Sequence, residues 1–212
     1  MKVSLARENI LKKIRQALTE PVPIPFPQSE GNSSVYQASH QENEVEFAEQ
    51  FTKVQGKFIY CADQPEMLVQ LQQLIMQNGW THIFCRETEL LRLLGAPLNG
   101  LITQESLVDA DASITSCELL IARTGSLLLS AGQESGRTVS VYAPVHICIA
   151  YDSQLVYDIR EGLEFLQEKY KDKLPSLITL ASGPSRTADI EKTLVVGIHG
   201  PKEVYVFLID AE

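Results

Sequence analysis

The residue types able to do chemistry gather in the second half of this chain. The segment with the most such groups is Ser182-Gly183-Pro184-Ser185-Arg186-Thr187-Ala188-Asp189-Ile190-Glu191, directly after the apolar run Leu177–Ala181. A glycine at the end of a strand lets the backbone turn without a Cβ clash. Ser185, Arg186 and Thr187 then offer backbone amides, two hydroxyls and a guanidinium, a set that suits a phosphate or a carboxylate. If that strand lies in a parallel sheet, its C-terminal end is where ligands gather. The same residues also describe an N-capped turn, with Ser185 or Thr187 capping and Arg186 paired to Asp189. Spacing alone leaves both readings open.

A second segment, Ala122-Arg123-Thr124-Gly125-Ser126-Leu127, is a polar break between two apolar runs. Arg123 there needs a partner or a ligand, because an unpaired buried cation is costly. Thr124 and Gly125 are also ordinary hairpin-turn residues. In a third segment, Val196-Gly197-Ile198-His199-Gly200-Pro201, two glycines let the backbone approach another element. His199 is a candidate general acid–base, or part of a turn before the last strand. The polar stretch Gly132–Arg137 is long enough to close over a pocket, and Pro144-Val145-His146 follows it. The site expected from these blocks has Arg123, Thr124, Gly125, Ser126, Gly183, Ser185, Arg186 and Thr187 holding an anion, with His199 and Asp189 as catalytic candidates. It requires the segments 123–126, 183–189 and 197–201 to line one pocket. No G-x-G-x-x-G, G-x-x-x-x-G-K-[ST] or G-x-S-x-G pattern is present.

The elements that must position these residues read as α/β. A helix from the Ser4 cap to about Leu18 has Ile10, Leu11, Ile14, Ala17 and Leu18 on one stripe. Alternate prolines in Pro21–Pro27 and a polar stretch make residues 20–41 a linker. Val45, Ala48, Phe51 and Thr52 suggest a helix ended at Gly56. Strand-length runs at 57–62 and 80–85 alternate with helices from the Asp63-x-x-Glu66 cap to Asn78-Gly79 and over 87–94. That alternation is the signature of βαβ units and a parallel sheet. Further strands are expected at 118–122, 126–131, 138–143, 145–151, 176–181 and 203–209, completing the sheet, with a helix at 161–170. The organisation is thus an amphipathic helix at 1–19, a linker at 20–41 and an α/β domain at 42–212.

Composition sets the limits. The chain has 212 residues, enough to bury a core without metal or disulfides. Its 18 basic and 27 acidic residues give a net charge of −9, which argues against nucleic acid or an anionic membrane as partner. The first 19 residues carry +4, so they form a basic arm that either docks on the acidic body or contacts a partner. No apolar run reaches membrane-spanning length, and the amino terminus lacks a signal core, so the expected location is the cytoplasm. Cys61, Cys85, Cys117 and Cys148 are spaced by 24, 32 and 31 residues. That spacing fits neither zinc nor an iron–sulfur cluster and predicts four reduced, buried thiols. The histidines show no metal-ligand spacing, and neither metal nor cofactor is expected.

Ala122-Arg123-Thr124-Gly125-Ser126, Ala143-Pro144-Val145-His146-Ile147, the Ser182–Glu191 block and Val196–Pro201 together, in this order, resemble the lactate-utilisation (LUD) domain family. The likeness is strongest to its LutC/YkgG branch and covers roughly residues 45–210. The resemblance implies a Rossmann-like layered sheet similar to the NagB/RpiA/CoA-transferase group. It also implies a role in oxidising L-lactate to pyruvate alongside two iron–sulfur partner proteins, with this chain as an accessory or assembly subunit. One position departs from the pattern: the family usually has Ala-Glu-Thr-Gly-Thr where this chain has Arg123 and Ser126. A cation for an anion inverts the local field: a catalytic Glu would be lost, a bound anion would be held more strongly, and the swap equally fits a subgroup with another substrate or a purely structural role. An independent enzyme acting on a phosphorylated or CoA-thioester substrate and a ligand-binding regulatory module are the alternatives.

Overall fold

The computed structural model describes residues 5–19, 39, 41–187 and 195–210. The chain divides into two units, Met1–Ala38 and Ser39–Glu212. In the first, α1 spans Leu5–Leu18, and its Ile10, Leu11 and Ile14 are exposed. Of the expected linker, only residues 39 and 41 fall among those described.

The second unit runs α2 (Asn43–Lys53), β1 (Lys57–Cys61), α3 (Gln64–Asn78), β2 (Ile83–Cys85), α4 (Thr88–Leu94), β3 (Ile102–Thr103), β4 (Ala112–Thr115), β5 (Leu119–Ile121), β6 (Ser126–Ser130), α5 (Val139–Tyr142), β7 (Val145–Tyr151), β8 (Leu155–Val156), α6 (Ile159–Tyr170), β9 (Ile178–Ala181), β10 (Arg186–Thr187), β11 (Val195–Val196) and β12 (Glu203–Ile209). Helix α3 forms as its sequence directs. Asp63 accepts from the Glu66 amide at 2.7 Å, Glu66 reaches back to the Ala62 amide at 2.8 Å, and Gly79 ends the helix at φ +65°.

Six strands form a parallel sheet in the order β1-β12-β7-β4-β2-β3. This is the expected Rossmann-like α/β architecture. The central strands β7 and β12 are covered on both faces and therefore apolar nearly throughout. Tyr205, Phe207 and Ile209 join Met67, Leu71 and Ile75 of α3 in one core. The alternate residues Val204, Val206 and Leu208 join Phe47 and Phe51 of α2 and Leu120, Leu127 and Leu129 in a second.

Those last three leucines belong to a separate sheet, β8-β5-β6-β9, in which β6 is antiparallel to both β5 and β9. The single sheet expected from the sequence is thus two. Only the four residues Ala122–Gly125 join β5 to β6, and so short a link permits a hairpin but no parallel crossover. The outer face of this sheet, Leu119, Ile121 and Leu128, packs on Leu166 of α6. The expected strand at 138–143 is instead the single turn α5, with Val141 and Tyr142 amides bonded to the Thr138 carbonyl at 3.1 and 3.0 Å. Pro144 forces the residue before it to be extended and ends that turn. In α2, Phe47 and Phe51 face the core while Val45 is exposed, so the buried stripe lies beside the expected one. Strands β3, β4, β8, β10 and β11 went unanticipated.

The end of α2 is wedged between two glycine turns. Gly125 sits at φ +56°, and a Cβ on it would stand 2.3 Å from the Phe51 nitrogen. Gly183 sits at φ +76°, and its Cβ would stand 2.5 Å from the Val54 carbonyl oxygen. Gly136 shares the left-handed conformation, at φ +68°, but faces open space. Gly125→Ala is therefore expected to cost about 3–5 kcal/mol in urea unfolding, as backbone strain and collision add. Gly136→Ala is expected to cost about 1–2 kcal/mol from strain alone. Equal losses would show that the wedge contributes nothing.

Candidate functional site

The motif blocks meet at one seam. The Ser126 hydroxyl lies 2.5 Å from that of Ser182 and 2.8 Å from that of Thr124, tying the β5–β6 turn to the end of β9. The next two blocks pair with each other. Arg186 and Thr187 form an antiparallel ribbon with Val196 and Val195. The Ser185 amide donates to the Pro201 carbonyl and the Gly197 amide to the Ser185 carbonyl, each at 2.9 Å. Because β9 belongs to the antiparallel sheet, the rule that ligands gather at parallel strand ends does not apply to this loop.

The two arginines at the seam already have partners. Arg123 Nε donates to Asp158 Oδ2 at 2.5 Å. Asp158 is the N-cap of α6, its other oxygen accepting from the Arg160 amide at 3.0 Å, so Arg123 anchors that helix start. Arg186 donates to the Val54 carbonyl at 2.5 Å, one of the carbonyls a helix end leaves open. Arg123 thus occupies a hairpin turn, with Thr124 and Gly125 as turn residues. Asp189 lies outside the described residues.

What the seam encloses is a pair of adjoining cavities that share His199. The inner one, of about 240 Å³, is lined by Ser140, His146, Ser182, Gly183, Ser185 and His199, among others. The outer one, of about 380 Å³, adds Gly197 and Lys202. Residues 183–185 and 199–201 line the inner cavity and 197–200 the outer one, while 123–126 buttresses the seam through Ser126. Arg186 and Thr187 lie beyond the lining. Ser140 and Lys202 stand on a helix turn and before the last strand with no motif to mark them, and Ser182 lies in a motif whose site candidates began at Gly183. Sequence reasoning noted His146 without giving it a role.

His146 forms the inner wall and is buried. Its Nε2 lies 2.8 Å from Thr115 Oγ1, whose own hydrogen goes to the Ser116 carbonyl at 2.8 Å. The hydroxyl oxygen therefore accepts, and Nε2 carries the imidazole proton. Burial pushes its pKa down to about 4, so the ring is neutral at pH 7. Among the described residues, no group of three His, Cys, Asp or Glu side chains is placed to hold a metal ion, and all four cysteines are buried free thiols. No helix among them is long and apolar enough to cross a membrane.

Residues 96–209, which include all four blocks, match the family described as the LUD domain. The chain belongs to the LUD domain family. A protein named Lactate utilization protein C from Deinococcus radiodurans is 36% identical over 101 residues, 47% of each chain. One of the same name from Anoxybacillus flavithermus is 27% identical over 178 residues, 76% of this chain and 78% of the relative. An uncharacterized protein of Neisseria meningitidis is 35% identical over 105 residues, 50% of this chain and 45% of its own. The matched region thus spans about half the length of the first of these curated relatives. The relatives place this LUD domain on the LutC branch. A crystal structure of a DUF162 family protein from Deinococcus radiodurans superposes with a TM-score of 0.59 at 19% identity, covering 82% of this chain and 99% of that one. That likeness is one of fold.

The buried imidazole of this LUD domain makes stability depend on pH. In the unfolded chain the ring titrates near 6.5, and in the fold near 4. The unfolded state takes the proton first, so stability is full above about pH 6.5 and declines as pH falls toward 4. Between pH 7.5 and pH 5 the expected loss is about 2 kcal/mol. His146→Gln removes the titration and should flatten this window in urea unfolding. An unchanged slope in that variant would place the titration elsewhere.

Proposed function

We propose that this LUD-domain protein serves lactate utilisation in the cytoplasm, as an accessory or assembly subunit beside iron–sulfur partner proteins. The relatives named Lactate utilization protein C supply the process. Conversion of L-lactate to pyruvate releases two electrons and two protons, and the electrons are assigned to the partners. The four cysteines here are buried thiols at spacings unlike those of cluster ligands.

The observation that carries the reading is the donor-rich lining of the paired cavities. Ser185 and His199 line the inner cavity and His199 and Lys202 the outer one, in a chain whose net charge is −9. Such a set suits a small carboxylate. Ser185, His199 and Lys202 hold the anion in this reading. Thr124, Gly125, Ser126 and Gly183 shape the backbone behind it, and Arg123 and Arg186 position the elements around it. The Arg123 departure from the family pattern then acts through α6 rather than on the ligand. We assign the fold to the NagB/RpiA/CoA-transferase group on its parallel sheet and inserted antiparallel layer.

The deciding experiment is co-purification of a tagged full chain from a host grown on L-lactate. Two cysteine-rich iron–sulfur proteins should come down with it, and recovery of the chain alone would overturn the subunit role. For the site, Lys202→Ala should weaken pyruvate binding about tenfold in isothermal titration calorimetry, the loss of one charge-assisted hydrogen bond. Unchanged affinity would remove Lys202 from the ligand's contacts.

A further inference from the structure

At the opposite edge of the parallel sheet, over the C-terminal ends of β2, β4 and β7, lies a cleft of about 620 Å³. Open parallel sheets characteristically present ligands at this edge. The four blocks that carry the family resemblance take no part in it. Leu90 and Leu93 of α4 and Ile149 of β7 give it an apolar surface.

Its polar groups are held in place before any ligand arrives. The Ser116 amide donates to both Glu87 oxygens at 3.1 Å, and the Ser116 hydroxyl donates to one of them at 2.5 Å. Gln133, from the loop expected to close over a pocket, donates to the Ser116 hydroxyl oxygen at 3.2 Å. Its carbonyl accepts from the Ser130 amide at 3.0 Å. Glu134, in the same loop, accepts from the Thr88 amide at 2.6 Å. Fixed groups of this kind lower the ordering cost of binding.

The charges around the cleft do not balance. Arg92 neutralises Glu89 at 2.8 Å, and Lys169 neutralises Glu118 at 2.7 Å. Burial opposes the charge on Glu118, but hydrogen bonds from Lys169, Ser130 and Tyr170 outweigh it and hold the carboxyl below its ordinary range. Glu87 has no such counter-ion. It is only 7% exposed, yet among the described residues no Lys, Arg or His nitrogen lies within 4.0 Å of it. Neutral donors satisfy its hydrogen bonds without cancelling its charge, and a buried carboxylate in that position gains from a cation.

We propose that this cleft is a second binding site, one that takes a small organic cation of the protonated-amine class. The ammonium meets Glu87, with Glu134 adding to the field, and the hydrocarbon part lies on Leu90, Leu93 and Ile149. The ligand's charge is thus opposite to that proposed for the cavities at His199, and neither reading rests on the other.

The test is isothermal titration calorimetry of the full chain with n-pentylammonium chloride and with sodium pentanoate, probes of equal tail length and opposite charge. Saturable one-to-one binding of the ammonium, at least tenfold tighter than pentanoate, is expected. Glu87→Gln, which keeps an acceptor for Ser116, should weaken it about tenfold or more. Leu93→Lys, which sets an ammonium at the half-buried wall, should abolish it. Glu164→Gln, outside the cleft, should leave it unchanged. Thermal unfolding confirms that each variant is folded, and if Glu87→Gln is not, Leu93→Lys decides. Equal affinity for the two probes, no saturable ammonium binding, or full affinity in a folded cleft variant would overturn the proposal.

Discussion

The packing of the last turn of α2 against the second sheet is the contact on which the C-terminal half depends. Phe51 is fully buried and stacks on Phe47 at 5.3 Å between ring centroids. Its backbone lies against Gly125, and its ring fills the space where Gly56 lacks a side chain. One turn further on, the Val54 carbonyl is taken by Arg186 and crowded by Gly183. A helix end brings carbonyls that need donors, and a close-packed interior leaves no room for a Cβ at the contact. Two glycine turns and one arginine satisfy both demands. The turn residues of the family blocks are thereby spent on building the seam, and the space they enclose is lined by their neighbours.

The two edges of the parallel sheet differ in chemistry for a reason of architecture. At the edge where β7 and β12 begin, two adjoining cavities are lined by serines, His146, His199 and Lys202. At the edge where β2, β4 and β7 end, loops and α4 leave a cleft with carboxylates at its base. A net charge of −9 describes the whole chain but neither edge. Lys169 shows how the difference is maintained. It is tied to Glu118 by a short ion pair and neutralises one buried carboxylate of the cleft, while Glu87 has neutral donors but no cationic partner among the described residues.

Arg123 illustrates how a change of sign within a family block is absorbed. A cation between apolar strands needs a partner or a ligand. The partner is Asp158, 35 residues away, which at the same time caps α6. Sequence spacing carries no sign of that pairing, because it arises only when β5 and β8 lie side by side.

Local order was legible in the sequence wherever neighbours along the chain decide it. The capping of α3 by Asp63, the full lengths of β7 and β12, the turn at Thr124-Gly125 and the four buried thiols were all read from short-range pattern and composition. The family blocks also marked the segments that meet at the seam. Short-range pattern failed where elements are brief or where pairing partners are distant. Val139–Tyr142 alternates like a strand but closes as one helical turn, and β4 is four residues long and hidden in a mixed stretch. The division into two sheets, the placement of Arg123 and Arg186, and the gathering of His146, Ser182 and Lys202 around His199 were decided by tertiary structure alone. Hydrophobic period and capping act over a few residues and are written in order along the chain. The direction in which a side chain points across a seam depends on which sheet faces approach each other, and only the folded chain sets that.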